Sequence, residues 1–427
     1  MAILRLSGGE APGILRRLCG RTTWDSHRLV LCDLRQSDGS LLDRGMAVWM
    51  KAPRSYTGED VVELHLHGGQ ALAQLALQTC LRLGARLARP GEFTLRAFLN
   101  GKLDLAQAEA VQQLIQSRSL ASVNMASRNL LGVFSQQVER LRKSLLEWLV
   151  LLEAEIDFGD EVMGQSPEES QRRWQLACAQ VEHWLQQGTQ GKILSDGLRL
   201  VLLGAPNAGK STLMNLLLGR QRALVTPIAG TTRDTLEEGL VLGGIPLILV
   251  DTAGVRSQAA DPVEEMGIAR SCEEARQADL VVWVVDGSQP EPPEALLDTL
   301  VAERPTLVVL NKRDLGLAPW TREWQGQRVS LLDPDDEQQL LEALGERARK
   351  LVGEQADLIR LTPRQWQALL SAQESLVSLG QTLERGLSAE FLALDLRAAI
   401  TALGHIQGVD VTEEVLDGIF SSFCLGK

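Results

Sequence analysis

Leu198-Arg-Leu-Val-Leu-Leu203, then Gly204-Ala-Pro-Asn-Ala-Gly-Lys-Ser-Thr212, then Leu213-Met-Asn-Leu-Leu-Leu218 is the stretch that decides the fold. The first segment is apolar almost throughout and predicts a buried strand, and the third predicts a helix. Strand, glycine loop, Lys-Ser and helix in that order make the pattern GxxxxGK[ST] a phosphate cradle. The glycines let backbone N–H groups turn toward an anion, and the helix N-terminus adds its positive end. Asn207, Ala208, Gly209, Lys210, Ser211 and Thr212 form the cradle. Lys210 would reach the terminal phosphates, and the Ser211 hydroxyl would bind magnesium. The bland alternative is a tight structural turn.

Two later segments name the nucleotide. Ile245-Pro-Leu-Ile-Leu-Val250 ends in Asp251-Thr252-Ala253-Gly254, which puts a carboxylate at a strand tip, able to hold magnesium through water. Thr306-Leu-Val-Val-Leu310 ends in Asn311-Lys312-Arg313-Asp314. The Asp314 carboxylate can accept from both the ring N–H and the amino group of guanine. Adenine lacks that donor pair, and a site built for it rejects the analogue by roughly 10⁴–10⁵. Each motif alone is weak. In this order, each at the end of an apolar run, they imply a GTP-hydrolysing domain.

The 427 residues suffice for two to four domains, and 44% hydrophobic with 23% charged residues predicts ordinary globular cores. No apolar run approaches the ~20 residues that cross a bilayer, and Met1-Ala-Ile-Leu-Arg-Leu6 shows no secretory pattern. Cys19, Cys32, Cys80, Cys178, Cys272 and Cys424 form no CxxC pair, which argues against a disulfide framework or thiolate zinc and fits a cytoplasmic protein. A formal net charge of −12 is the wrong sign for a chain whose surface as a whole binds nucleic acid.

Along the chain, residues 1–103 mix strand-like runs (Ala2–Leu6, Met46–Trp49, Val61–His67) with helical ones (Glu10–Cys19, Gln70–Leu83) and predict a compact α+β domain. His65 and His67 share a strand face without a third ligand nearby and read as structural. Arg5, Glu63 and Lys102 look like ordinary polar residues at element ends. From residue 104 the pattern is helical: Phe134, Val138, Leu141, Leu145, Trp148 and Leu152 form one apolar stripe. Ser166-Pro-Glu-Glu169 starts another helix, and Gly188–Gly191 is expected to end it. Residues 196–355 hold the nucleotide motifs and should close with a helix near Gln338–Leu351. Helical patterning resumes at Thr362-Pro363. The expectation is a multidomain α/β protein: an α+β N-terminal domain, a helical domain in two parts (104–195 and 356–427), and a P-loop GTPase domain with a doubly wound, mostly parallel sheet inserted between them.

Val255 follows Gly254, at the place where signalling GTPases carry a water-orienting glutamine. Valine can neither donate nor accept. An arginine supplied in trans is worth roughly 10³–10⁵ in rate, so both functions need substitutes. Asn207 and the carbonyl-rich run Ala223–Gly230, ahead of Thr231-Thr232-Arg233-Asp234, can together hold a monovalent cation. Arg233 as a finger in cis is the rival. Asp261, Glu264 and Glu265 are the nearby acids for positioning water.

Ser55-Tyr-Thr-Gly-Glu-Asp60, Arg89-Pro-Gly-Glu-Phe93, Arg96-Ala-Phe-Leu-Asn100, Lys102-Leu-Asp-Leu-Ala-Gln-Ala-Glu109 and Ile419-Phe-Ser-Ser-Phe-Cys-Leu-Gly-Lys427 resemble the MnmE (TrmE) family of tRNA-modification GTPases. The resemblance spans nearly the whole chain. It implies an N-terminal domain similar to folate-binding aminomethyltransferase domains, which dimerises and binds 5-formyltetrahydrofolate through Arg5, Glu63, Lys102 and Lys427, with Cys424 close by. It implies GTP contacts from Thr226, Pro227, Ile228, Ala229, Gly230, Thr231, Thr232 and Ser330 besides the motifs above. Asn207, Thr226, Ile228 and Thr231 match the potassium ligands, Ser211 and Thr232 the magnesium ligands, and Glu264 the catalytic acid that orients water, alongside Thr232 and Asn207. One extra residue before Glu264 leaves Glu265 open as its rival. The family works as a homodimer joined to an FAD-containing MnmG partner in a heterotetramer. It modifies carbon 5 of the wobble uridine of certain tRNAs, with no membrane involved. The base-closing segment departs from the family, reading Ser330-Leu-Leu332. A ribosome-assembly GTPase, or a folate-dependent aminomethyltransferase with a regulatory GTPase, are the other readings.

Overall fold

The computed structural model describes residues 1–117, 119–158, 166–221, 237–250, 278–291, 304–353, 358–423 and 426. The chain forms two compact units: Met1–Ile115 with Ser127–Val181 and Thr362–Lys427, and Gln116–Ala126 with Glu182–Leu361.

The first unit opens on an antiparallel sheet of β1 (Ala2–Ser7), β2 (Val30–Arg35), β3 (Leu41–Met50) and β4 (Val61–Leu66), in the order β1-β4-β3-β2. Helices α1 (Ala11–Cys19) and α2 (Gln70–Arg82) join one face of it in a core that includes Ile14, Leu15, Leu18, Leu64, Leu66 and Ala76. Strand β2 carries Asp33 and Arg35 and so lacks a clean apolar alternation, which hid it from sequence reading. The helices α3 (Glu92–Leu99), α4 (Leu105–Gln116), α6 (Val133–Phe158), α10 (Pro363–Glu384), α11 (Ala389–Gln407) and α12 (Glu413–Ser421) complete this unit with the start of α7 (Pro167–Asp196). The predicted stripe is the buried face of α6, with Phe134, Val138, Leu145, Trp148 and Leu152 inside and Leu141 half-buried. Thr362 caps α10 reciprocally with Gln365, as its Thr-Pro start implies. Glu109 on α4 lies buried and accepts from Arg364, Gln365 and Thr362. Cutting such a pair strands the partner's charge and costs about 3–5 kcal/mol.

The second unit is a six-stranded sheet of β5 (Leu198–Leu203), β6 (Glu237–Leu242), β7 (Ile245–Val250), β8 (Leu280–Asp286), β9 (Thr306–Asn311) and β10 (Gln327–Arg328), ordered β10-β9-β8-β5-β7-β6. All pairings are parallel except β6 with β7. Helices α8 (Lys210–Gln221) and α9 (Pro334–Val352), with part of α5 (Leu120–Leu130), pack into its core through residues such as Leu213, Leu217, Leu340, Leu344 and Met125. Strand order reverses beside β5, and in such sheets ligands lie beyond the carboxyl ends of the strands at that point.

Gly188–Gly191 does not end its helix: α7 runs unbroken to Asp196. Gly191 serves close approach instead, since a Cβ there would sit 2.0 Å from the Ile359 carbonyl oxygen. Gly191→Ala is therefore expected to destabilise the second unit by about 1–3 kcal/mol, as overpacking does. Urea unfolding checks this, and an unchanged midpoint would show that the backbone contact is dispensable.

Candidate functional site

Strand β5 delivers the chain to the glycine loop, and sterics make that loop. Gly204 has φ +147, and a Cβ on it would meet the Val284 carbonyl oxygen at 2.1 Å. Gly209 has φ +113, and its Cβ would sit 2.2 Å from Asn311 Nδ2. Asn207 adopts φ 61, a left-handed conformation that asparagine tolerates better than most residues, and its side chain is exposed. Ala208 is buried beneath the loop, while Ser211 and Thr212 stand exposed in the first turn of α8. Lys210 Nζ donates to the carbonyl oxygens of Gly204 (2.6 Å) and Ala205 (2.8 Å), which folds its ammonium over the loop. Burial pushes the Lys210 pKa down, since the charged form loses water there.

The Asn311–Asp314 segment follows β9, as expected, but its residues divide the work in an unforeseen way. Asn311 is 5% exposed and spends both ends of its amide within the protein. Its Nδ2 donates to Ala208 O at 2.8 Å, and its Oδ1 accepts from Leu331 N at 3.1 Å. It thus braces the phosphate loop against the 330–332 segment. Lys312, at φ 66, places Nζ 2.7 Å from Asp286 Oδ2 at the tip of β8. Burial raises the Asp286 pKa, but hydrogen bonds from Lys312, Ser288 and Gln289 outweigh it and hold the carboxyl at about 2. Asp314 stands exposed on a short 3-10 turn, Arg313–Leu315.

Ser330 is buried, and its N–H donates to Asp336 Oδ2 at 2.7 Å. Its backbone donor is therefore engaged within the protein, and its hydroxyl accepts from Leu332 N at 3.4 Å. Asp336, buried in the first turn of α9, also pairs through Oδ1 with Arg313 at 2.8 Å. One carboxylate so joins the segment that carries Asp314 to the segment that carries Ser330. Sequence reading missed Asp286 and Asp336. The first ends Leu280-Val-Val-Trp-Val-Val-Asp286, the same apolar-run-then-polar signal that marked β7 and β9. The second hides in Pro334-Asp-Asp-Glu337, which looks like an ordinary acidic helix start.

In the first unit, Arg5 and Glu63 are not element-end residues: they face each other in mid-strand on β1 and β4. Arg5 Nε and Nη2 approach Glu63 Oε1 at 2.8 and 2.7 Å. The guanidinium carbon lies 6.0 Å from the Tyr56 ring centre and 5.8 Å from that of Phe93, within reach of a cation–π contact. Lys102 Nζ, from the turn after α3, donates to Pro53 O at 3.1 Å, and Pro53 belongs to the same loop as Tyr56, residues 51–60. That loop is tied down by Asn100 to Thr57 O, Arg96 to Glu59, and Ser7 to both Thr57 and Glu59. His65 pairs with Glu63 and His67 with Asp43, and no cluster of three metal-ligating side chains occurs among the described residues. Thr226 to Thr232, Arg233, Asp251 to Gly254, Glu264, Glu265, Cys424 and Lys427 lie outside the described residues.

Comparison with known proteins agrees with this geometry. The profile of the GTP-binding protein TrmE N-terminus matches residues 1–102, and that of the MnmE helical domain matches residues 105–424. The tRNA modification GTPase MnmE of Syntrophotalea carbinolica is 43% identical over 441 residues, covering 100% of this chain and 96% of the relative. Those of Synechococcus sp. (strain JA-3-3Ab) and Synechocystis sp. (strain ATCC 27184 / PCC 6803 / Kazusa) are 41% and 40% identical, each over 100% of this chain. With a P-loop domain, two matching family profiles and relatives of about 40% identity across its whole length, the chain is a GTP hydrolase that belongs to the MnmE family of tRNA modification GTPases.

Proposed function

We propose that the protein is a potassium-activated GTP hydrolase that works with an FAD-containing partner of MnmG type. Together they place an aminomethyl-type group at carbon 5 of the wobble uridine of certain tRNAs in the cytoplasm. The observation that carries the nucleotide half is the brace at Asn311, which locks the phosphate loop and the base-side loops into one rigid receptor. Preorganised donors and charges are what phosphoryl transfer requires.

The residues present suit the ions. Ser211 offers an exposed hydroxyl at the start of α8, an oxygen donor of the hard kind magnesium takes. Asn207 offers a neutral amide oxygen beside the loop, and a neutral donor suits a monovalent ion. Thr226, Ile228 and Thr231 would complete the potassium shell, and Thr232 the magnesium shell. Bound potassium would supply the positive charge that an arginine provides elsewhere. On the protein's side, Lys210 holds the terminal phosphates, Asp314 selects guanine, and Glu264 orients the attacking water.

A folate carries an amino-pyrimidinone edge that donates to a carboxylate and a glutamate tail that calls for cations. Glu63 and Arg5 beside Tyr56 and Phe93, with Lys102 donating to the loop that carries Tyr56, offer that complement, and Lys427 would join them. The folate would provide the one-carbon unit. Arg5→Ala is expected to weaken 5-formyltetrahydrofolate binding at least about tenfold, since it removes a cation that would face the anionic ligand and leaves Glu63 only His65 as a side-chain partner among the described residues. Titration calorimetry reads this, and undiminished affinity would remove Arg5 from the site.

The sheet supports dimerisation. Ile3, Met46 and Leu31 stand in register across it, on either side of His65, and are 55%, 43% and 58% exposed. An apolar row of that kind invites a second copy. No helix among the described residues is long and apolar enough to cross a membrane.

Asp336→Asn tests the base-side brace. The amide keeps one acceptor oxygen, so one of Arg313 and the Ser330 N–H loses its partner and the other keeps a neutral one. Each had a charge-assisted bond worth about 1.5–3 kcal/mol. GDP is expected to leave about tenfold to a hundredfold faster. Stopped-flow release of a fluorescent GDP shows this, and an unaltered rate would separate Asp336 from nucleotide binding.

A further inference from the structure

Cys19 and Cys32 are 13 positions apart in sequence, yet their sulfurs lie 3.4 Å apart. Cys19 is the last residue of α1, Cys32 lies in β2, and both are half-buried at the margin of the core between helix and sheet. The pair belongs to neither candidate site above. We propose that Cys19 and Cys32 form a thiol–disulfide exchange site that accepts small disulfides such as glutathione disulfide.

The roles follow from the contact. The Cys19 S–H donates to the Cys32 sulfur, which favours thiolate at Cys32 and pushes the Cys19 pKa up. The Arg21 guanidinium pulls both thiols down, while burial and Asp33 oppose the lowering at Cys32. Cys32 is thus the attacking sulfur and Cys19 the resolving one. The Cys32 thiolate attacks one sulfur of the small disulfide, forming a mixed disulfide and expelling one thiolate, which takes up a proton. Cys19 then loses its proton and attacks Cys32 Sγ, closing the Cys19–Cys32 bond and expelling the second thiolate. Two electrons pass from the cysteine pair to the small disulfide, and two small thiols leave.

The geometry tolerates closure. The sulfurs must approach from 3.4 Å to about 2.05 Å, and Cys19 is followed by Gly20 in the left-handed conformation, at a point where the chain has already left its helix. The span that would be closed carries His27, whose Nε2 lies within hydrogen-bonding distance of Arg54 O. That is the turn whose Pro53 carbonyl accepts from Lys102, so the bond would staple the segment leaning on it. Cys80 is the internal control: it is buried, and desolvation pushes its thiol up to about 11.

The test exposes the full chain to glutathione disulfide without denaturant, then unfolds it in an alkylating agent to block the remaining thiols and maps the products by peptide mass spectrometry. A Cys19–Cys32 cross-link that dithiothreitol removes is expected, with Cys80 still alkylatable. Cys19→Ser should stop at a glutathione adduct on Cys32, and Cys32→Ser should leave Cys19 without one. Both thiols remaining free in the wild-type chain, bonds to other cysteines, or an adduct that prefers Cys19 over Cys32 would each overturn the proposal.

Discussion

Asp314→Asn is expected to turn the base pocket against guanine. In the proposed contact the carboxylate would accept two charge-assisted hydrogen bonds, from the ring N–H and the amino group, each worth about 1.5–3 kcal/mol. Losing both would cost roughly 10²–10⁴ in GTP affinity. Asp314 is exposed, so water competes for it and the lower half of that range applies. Xanthine carries an acceptor where guanine has its amino group, and the new amide can donate to it. The variant should therefore prefer xanthosine triphosphate while its fold and phosphate loop stay intact, because Asn311, Lys312 and Arg313 keep their partners. Competition binding between the two nucleotides decides it. Unchanged preference for GTP would refute the base contact.

The second large effect concerns the alkali ion. Val255 can neither position water nor carry charge, and the missing arginine is worth roughly 10³–10⁵ in rate elsewhere. Asn207 is exposed on the phosphate loop in a left-handed conformation, and its side-chain oxygen adds no charge of its own. An ion held there adds one positive charge where the transition state gathers negative charge. Asn207→Ala should then lower hydrolysis in potassium by roughly tenfold or more, with GTP affinity reduced much less, because Lys210 and the loop N–H groups remain. Single-turnover kinetics separate the two. Equal losses in affinity and rate would mean that Asn207 merely shapes the loop.

Much of this was legible in the sequence because a few residue types had no cheaper explanation. Glycines at positions 204 and 209 with Lys210 and Ser211 specify a phosphate loop, and Gly209 fits because Asn311 leaves no room for a side chain. Apolar runs ending in polar residues gave β5, β7 and β9 their places. The same logic applied to Leu280–Asp286 would have revealed β8 and, with it, the partner of Lys312. Other features are not local. Gly191 reads as a helix end until the Ile359 carbonyl is seen against it. The bracing contacts of Asn311, Nδ2 to Ala208 O and Leu331 N to Oδ1, join segments 103 and 20 residues away and leave no trace in the local sequence. Arg5 with Glu63, and Cys19 with Cys32, meet only through strand pairing and helix packing, which no spacing rule encodes.

The most direct test of the account is the rate of GTP hydrolysis by the full chain in potassium and in sodium at equal ionic strength, with oligomeric state recorded alongside. A rate higher in potassium by roughly tenfold or more, with that advantage lost in Asn207→Ala, is the predicted result. Equal rates in the two salts, from folded protein that binds GTP, would contradict it.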